Sequence, residues 1–288
     1  MPAPYLLILA HQRSGTNHLL DLLRGFVGVT TLGEFFNTAS APGKMHQAEA
    51  LAQYGGSVEQ FVAASNKNPL DTLRFRENLP ETKLFVIKLF GHQLTSKRAQ
   101  QILVANAVGV IHLRRNVFGT WVSRELARQS GEWFNESSKQ RKVTFARVSF
   151  VRYSSRITAF AIDFSRMLRR SGRPFIDMTF SEVAAMNQPQ QIADRISSVF
   201  HDLPELVKRD EWEPMISRQD TRLPIDRVDN AAFAQSTLAD LGLEYLLDNK
   251  DTDDLERLLS ALAKKPQGSA LDRFISATSR RLGRSAKK

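Results

Sequence analysis

Short apolar segments that alternate with polar turns and with helical periodicity constrain the fold of this chain most strongly. The segments are residues 5–10, 84–90, 108–113 and 175–180. Their length and the turn residues around them are typical of strands buried on both faces of a sheet. Apolar residues at helical spacing follow the first segment, and Gly25 and Gly28 end that predicted helix. Strands that alternate with helices predict an α/β protein with a parallel sheet flanked by helices.

The remaining segments predict a single α/β domain over residues 1–264. A long amphipathic helix is predicted over about 150–170, and helices fill most of the C-terminal part up to about residue 263. Residues from about 28 to 80 are rich in turn formers, and we interpret them as an insertion on the substrate side. Residues 265–288 form a basic C-terminal tail.

The formal net charge of +10 is concentrated at the C-terminal end of the chain. Residues 264–288 hold eight Lys or Arg and one acidic residue, Asp272, which leaves about +3 for the rest. A solvated terminus is the simplest interpretation, and peripheral contact with an anionic membrane surface is the alternative. Because the body of the chain is not a strong polyanion binder, we expect no nucleic-acid partner.

Several protein classes are excluded by what the sequence lacks. The chain has no cysteine, so disulfides, thiolate metal sites and cysteine nucleophiles are excluded. No apolar run approaches the ~18–20 residues that a membrane helix requires. The segment at 5–10 is too short for the apolar part of a secretory signal. We therefore expect a cytoplasmic protein.

The polar turn after the first predicted strand has the chemistry of an anion-binding loop. Its residues are Arg13, Ser14, Gly15, Thr16 and Asn17. Glycine lets the backbone approach an anion, hydroxyls donate hydrogen bonds, and the N–H groups at a helix start favour negative charge. The turn is not a Walker A loop, because Thr16 rather than lysine follows Gly15. A helix cap beside a turn glycine is the alternative interpretation.

A second set of cationic side chains follows the predicted strand at 108–113. Arg114 and Arg115 stand at its end, and Ser123 lies eight residues after Arg115, about two helical turns onward. Arginine suits a terminal phosphate because its planar fork bonds two oxygens at once. The turns at 11–17, 91–96 and 114–116 all follow strands, so we expect them to converge at one edge of the sheet. Surface arginines and an ordinary helix serine are the alternative interpretation. Two anion sites after two parallel strands suit a nucleotide with phosphates at both ends of its ribose.

These motifs resemble those of sulfotransferases that use 3′-phosphoadenosine 5′-phosphosulfate (PAPS). Residues 13–17 resemble the 5′-phosphosulfate loop of that family, and Arg115-Asn116 with Ser123 resembles its 3′-phosphate motif. Residues 130–133 (Ser-Gly-Glu-Trp) and 33–36 (Gly-Glu-Phe-Phe) resemble segments of bacterial carbohydrate sulfotransferases of the trehalose-sulfotransferase type. Residues 179–182 match a further family segment only in part. The resemblance spans roughly residues 5–185 and implies a P-loop-NTPase-like sheet.

The resemblance implies a sulfuryl transfer from PAPS to a hydroxyl acceptor, with a carbohydrate or glycolipid as the expected acceptor. Arg13 would act on the sulfuryl and bridging oxygens, and the rest of the loop would hold the 5′-phosphate. Arg115 and Ser123 would hold the 3′-phosphate. Trp133 would either stack on adenine or on a sugar face, or pack in the core at the end of a helix. Nothing in this scheme requires a metal ion, and no His/Asp cluster has ligand spacing.

Two side chains are candidates for the base that accepts the acceptor's proton. Glu34 matches the position of a proposed base in the trehalose-type enzymes, and His92 lies where the animal cytosolic enzymes carry a catalytic histidine. Histidine titrates near neutrality without help, whereas glutamate requires desolvation to do so. We favour Glu34, because residues 131–133 point to the trehalose-type branch. His11 and His18, beside the loop, are interpreted as hydrogen-bonding or packing residues.

Two other functions compete with the transferase. A non-catalytic regulatory or scaffold protein would keep the anion loops and lack transfer. A P-loop kinase is disfavoured by the missing Gly-Lys-Ser/Thr sequence.

Overall fold

The computed structural model describes residues 3–37, 47–75, 79, 81–131, 141–215, 222–248 and 254–263. The chain divides into two compact units. The first unit comprises Met1–Leu113 and Phe164–Ile216, and the second comprises Arg114–Asp163 and Ser217–Lys288. The predicted basic tail, 265–288, lies outside the described residues, so both interpretations of it, a solvated terminus and a peripheral membrane contact, stay predictions.

The first unit contains an open sheet of five parallel strands in the order β2-β3-β1-β4-β5. The strands are β1 (Tyr5–Ala10), β2 (Val29–Gly33), β3 (Leu84–Phe90), β4 (Gly109–Arg114) and β5 (Phe175–Thr179). β1 pairs with β3 on one side, Tyr5 opposite Phe85, and with β4 on the other. The last residue of β4, Arg114, is the first residue of the second unit.

Eleven α-helices are present in the described residues. They are α1 (Thr16–Arg24), α2 (Gln47–Ala52), α3 (Val58–Lys67), α4 (Pro69–Thr72), α5 (Lys97–Asn106), α6 (Val117–Ser130), α7 (Arg147–Ser171), α8 (Phe180–Ala185), α9 (Pro189–Ser197), α10 (Ala231–Leu241) and α11 (Leu255–Ala263). Two short 3-10 turns, Pro224–Arg227 and Glu244–Leu246, flank α10. Within the described residues, no helix is long and apolar enough to cross a membrane.

The sheet of the first unit is covered by apolar side chains on both faces. All six residues of β1 are buried. Leu7 and Leu9 pack in a cluster with Leu103 of α5 and Phe164 of α7. The alternate residues of β1, Leu6 and Ile8, pack in a second cluster, together with Leu22 of α1 and Ile192 of α9. Burial on both faces explains why this strand is uniformly apolar rather than alternating.

The second unit has its own apolar core, which is rich in aromatic rings. Trp121 of α6 is 1% exposed and makes an edge-to-face contact with Phe145, with ring centroids 5.3 Å apart. Phe118 and Phe150 join the same cluster. Residues of α10 and α11 complete it, among them Leu238 and Leu262.

The strands predicted at 5–10, 84–90, 108–113 and 175–180 are confirmed, with ends that move by at most one residue. The helices expected over about 150–170 and up to about 263 are confirmed as α7 and α11. The segment from 28 to 80 holds an unpredicted strand, β2, which forms one edge of the sheet. Helices α2 to α4 follow in its described part. A role of this segment on the substrate side stays a prediction.

Candidate functional site

The loop between β1 and α1 adopts a left-handed turn at two positions. Gly15 has φ 87° and is the N-cap of α1, and Arg13 has φ 68°. Among the described residues, Arg13 is the one non-glycine residue with positive φ. A side chain in that region costs about 1–2 kcal/mol, and such strain is concentrated at ligand-binding and active sites. The predicted loop thus opens a helix directly after a buried strand, where the first backbone N–H groups have no intrahelical acceptor.

The hydroxyl of Ser14 closes the loop on itself. Ser14 is fully buried, and its Oγ donates a hydrogen bond to the carbonyl of His11. Any contact of this residue with an anion is therefore best made through its backbone N–H. His11 Nδ1 lies 3.0 Å from the carbonyl of Gln12, and His18 Nε2 lies 3.0 Å from that of Met186. Both histidines thus make the hydrogen bonds with the backbone that the sequence led us to expect.

Gly15 is held closely under the ring of Phe180, the first residue of α8. A Cβ placed on Gly15 would lie 2.5 Å from Phe180 Cδ2. The start of α8 is itself fixed by a capping box, in which Glu182 accepts hydrogen bonds from the Thr179 N–H and hydroxyl at 2.6 and 2.9 Å. Residues 179–182, which matched a family segment only in part, therefore cover the loop.

Replacing Gly15 by alanine is expected to lower the free energy of unfolding by about 2–5 kcal/mol. About 1–2 kcal/mol comes from the left-handed backbone, and about 1–3 kcal/mol from crowding against the Phe180 ring. Urea denaturation measures the loss.

Gly172→Ala is the matched control within the first unit. Gly172 has φ 66°, and no described atom lies within 4 Å of its Cβ position, so only the backbone contribution of about 1–2 kcal/mol is expected. Equal losses in the two variants would contradict the packing of Phe180 on Gly15.

A buried ion pair stands beside the loop. Lys88, in the middle of β3, is 4% exposed, and its Nζ lies 3.3 Å from Glu34 Oε1. The same Nζ donates a hydrogen bond to Asn17 Oδ1 at 2.6 Å. Asn17 is the second residue of α1, so one ammonium group joins the helix start to the carboxylate that follows β2.

The carboxylate of Glu34 is held by three side chains of the first unit. Lys88 pairs with Oε1, while Oε2 accepts hydrogen bonds from Asn37 Nδ2 at 2.6 Å and Gln93 Nε2 at 3.0 Å. Its side chain is 11% exposed. A cation and two amide donors thus fix the position of the carboxylate beside the loop.

His92, the alternative base, occupies a different environment. It is exposed, and its ring stacks on Phe90 with centroids 6.1 Å apart. Its neighbour Gln93, rather than His92, reaches Glu34. The geometry favours Glu34 over His92 as the residue held in the cluster with the loop.

Sequence reasoning did not assign a role to Lys88. The sequence does contain an indication of its importance, because a lysine in an otherwise apolar strand requires a partner when it is buried. Its partners lie 54 and 71 residues away in the chain, and only the fold brings them together.

In the second unit, Asn116 is a structural cap. Its Oδ1 accepts a hydrogen bond from Gly119 N at 2.9 Å, and its Nδ2 donates to the carbonyl of Leu246 at 3.0 Å. The helix expected near Asn116 is confirmed as α6. Arg115 immediately precedes this cap and is half-buried, and Ser123 is buried two turns along α6. Their joint role at a 3′-phosphate stays a prediction.

Of the acceptor-side match at 130–133, the structure describes Ser130 and Gly131. Trp133 lies outside the described residues, so its predicted stacking stays a prediction. Gly131 ends α6 in a left-handed conformation, with φ 72°. In the part of the chain that the structure describes, no group of three or more His, Asp or Glu is arranged to hold a metal ion.

A further polar pair within the first unit was not predicted. His112 of β4 is 1% exposed, and its Nδ1 lies 2.7 Å from Asp177 Oδ1 of β5. Ser165 Oγ lies 3.5 Å from the same nitrogen. A Ser-His-Asp relay requires the serine and the aspartate on opposite ring nitrogens, so this pair links two strands rather than forming a nucleophile.

A comparison with models of known protein families gives no match, and one with curated protein sequences gives none either. Function is therefore inferred from the residues and their geometry.

Proposed function

We propose that this protein is a PAPS-dependent sulfotransferase on a P-loop-NTPase-like sheet. The observation that carries the proposal is the left-handed loop at Arg13 and Gly15, which opens α1 beside the buried Lys88–Glu34 pair. A helix start with a cation at its mouth suits the 5′-phosphosulfate end of the nucleotide. Lys88 joins the Glu34 carboxylate to that loop, which suits a base that takes the proton of the acceptor hydroxyl.

Each end of the nucleotide has its own residues in the proposal. The backbone N–H groups of residues 14–17 and the Thr16 hydroxyl hold the 5′-phosphate. Arg13 stabilises the charge that develops on the sulfuryl and bridging oxygens. Arg115 and Ser123 bind the 3′-phosphate, because guanidinium and hydroxyl donors suit a doubly charged terminal phosphate.

The chemical step is an in-line transfer between two oxygens. The acceptor hydroxyl gives its proton to Glu34 and forms a bond to sulfur, while the bond between sulfur and the bridging oxygen breaks. The leaving group is 3′-phosphoadenosine 5′-phosphate (PAP), whose new charge is met by Arg13 and the loop N–H groups. Positioning and fixed electrostatics supply the rate enhancement, as they do in phosphoryl transfer. The acceptor is a carbohydrate or glycolipid hydroxyl, and the reaction takes place in the cytoplasm.

Replacing Arg115 by alanine is expected to reduce the preference for PAP over AMP by about 10- to 100-fold. The estimate follows from the loss of a charged hydrogen bond that contributes about 1.5–3 kcal/mol. Isothermal titration of PAP, AMP and ATP into the wild-type and variant proteins measures the preference.

The control for that experiment is Arg128→Ala. Arg128 is near the end of α6, its side chain is 63% exposed, and it pairs with Glu125 at 3.0 Å. Glu125 also pairs with Arg124 at 2.6 Å, so its carboxylate keeps a partner and PAP affinity should stay within about twofold of wild type. A wild-type protein that does not prefer PAP to AMP would overturn the assignment of Arg115 and Ser123.

Transfer of labelled sulfate from PAPS to a panel of glycans, glycolipids and phenols then separates the enzyme from a regulatory or scaffold protein. Labelled product supports the transferase. PAP binding without any labelled product favours the non-catalytic alternative.

A further inference from the structure

Lys88 contacts both the loop and the candidate base within the first unit. Its Nζ lies 2.6 Å from Asn17 Oδ1 and 3.3 Å from Glu34 Oε1. It also lies 5.5 Å from the centre of the Phe90 ring. The side chains of Lys88 and Glu34 are 6% and 11% exposed, so water replaces these contacts poorly.

The position of Lys88 in β3 makes it a rigid connection. β3 is buried along its whole length and pairs with β1 and β2, the strands that precede the loop and Glu34. A charged group buried in such a strand is expensive unless it is paired. The ammonium therefore fixes the positions of both partners, and a movement of either one disturbs the other.

We propose that Lys88 is a positioning residue that couples occupancy of the loop to the placement of Glu34. This inference rests on the proposed function. An anion bound to the first turn of α1 fixes Asn17, Asn17 orients the Lys88 ammonium, and the ammonium holds Glu34 Oε1 facing the same turn. Lys88 acts through its partners and makes no contact with the reacting atoms in this scheme.

Coupling of this kind is reciprocal. If an occupied loop fixes Glu34, then a change that displaces Glu34 should in turn alter the affinity of the loop for its anion. Glu34 then affects nucleotide binding only while Lys88 is present. A purely structural role for Lys88 predicts no such dependence.

The test is a double-mutant cycle on PAP affinity. Glu34→Gln is expected to weaken PAP binding about fivefold in the protein with Lys88, and to have no effect in the Lys88→Met background. Equal effects of Glu34→Gln in both backgrounds would overturn the proposal. The double variant lacks both buried charges, so it leaves no unpaired ion in the core.

A second cycle covers the case in which Lys88→Met alone fails to fold. Asn17→Ala and Glu34→Gln are combined in the protein that retains Lys88. Their effects on PAP affinity should be non-additive by about fivefold, although no bond between these two residues is invoked. Strict additivity would contradict the coupling.

Turnover gives an independent readout. Lys88→Arg keeps the cation and should retain kcat within about tenfold, whereas Lys88→Met should lower kcat by about 100-fold or more and change KM less. Equal losses in Lys88→Arg and Lys88→Met would overturn a role that depends on the charge.

The outcome also separates this inference from the proposed function. If PAP binds no better than AMP, the proposed function is wrong. The double-mutant cycle is then measured on AMP affinity, because the 5′-phosphate of AMP is sufficient to bind the loop. If neither nucleotide binds, both proposals fail. Normal PAP preference with no coupling in either cycle removes the inference alone.

Discussion

Replacing Arg13 by alanine is expected to abolish measurable sulfuryl transfer, with a loss in kcat of about 100- to 1,000-fold or more. In the proposed mechanism the guanidinium stabilises the negative charge that develops on the bridging oxygen as the bond to sulfur breaks. Removing one preorganised donor from such a position typically costs about 2.7–4 kcal/mol of transition-state stabilisation. Single-turnover assays with labelled PAPS, alongside PAP titration, separate the chemical step from binding.

Two further substitutions at Arg13 separate charge from backbone strain. Arg13 has φ 68°, which glycine adopts without the penalty of an L side chain. Arg13→Gly should therefore raise the free energy of unfolding by about 1 kcal/mol relative to Arg13→Ala, with transfer equally lost. Arg13→Lys should keep part of the activity, because it retains the positive charge. It should not keep all of it, because lysine lacks the planar guanidinium that bonds two oxygens at once. Transfer within about threefold of wild type in Arg13→Ala would remove this residue from the mechanism.

The sheet could be predicted largely because its central strands are buried on both faces. β1 is an unbroken apolar run, β3 is apolar except for Lys88, and the predicted bounds of both were confirmed. β2 was missed because it has five residues, two of them threonine and the last a glycine. A short edge strand gains its stability from pairing with its neighbour, which a local pattern does not reveal.

The candidate site was predictable only where its chemistry is local. The left-handed glycine at the helix start follows from the sequence of residues 13–17, since glycine is the residue that adopts that backbone easily. Two contacts of the loop did not follow. Ser14 bonds back to His11 within the loop, and Phe180, from a distant part of the chain, covers Gly15. The charge of Lys88 interrupts an apolar strand, so the sequence indicates that this residue needs a partner. Which residues are its partners depends on the register of β3 against β1 and β2.

Replacing Glu34 by glutamine is expected to lower kcat by about 100- to 10,000-fold, the range for loss of a general base. PAP affinity should fall only about fivefold, because the amide is of the same size and Lys88 can still donate to its oxygen. His92→Asn is the comparison, and it should leave kcat within about threefold, since His92 is exposed and stacks on Phe90. Initial rates with saturating PAPS measure both variants. Unchanged turnover in Glu34→Gln together with a large loss in His92→Asn would transfer the base role to His92.

Glu34→Gln also creates a conflict of hydrogen bonds, which must be separated from the loss of the base. Glu34 Oε2 accepts hydrogen bonds from the amides of Asn37 and Gln93, so a glutamine amide would direct its own N–H groups at these donors or at Lys88.

The exchange Glu34→Gln/Gln93→Glu resolves most of this conflict. Residue 93 already accepts a hydrogen bond from Phe90 N at 3.0 Å, and as glutamate it can also accept one from the new amide. The exchange keeps the charge of the cluster and moves it from position 34 to position 93. Thermal stability should therefore return toward the wild-type value, while transfer stays lost because the carboxylate no longer stands next to Lys88. Recovery of transfer in the exchanged protein would show that the charge of the cluster, rather than a base at position 34, is what the reaction needs.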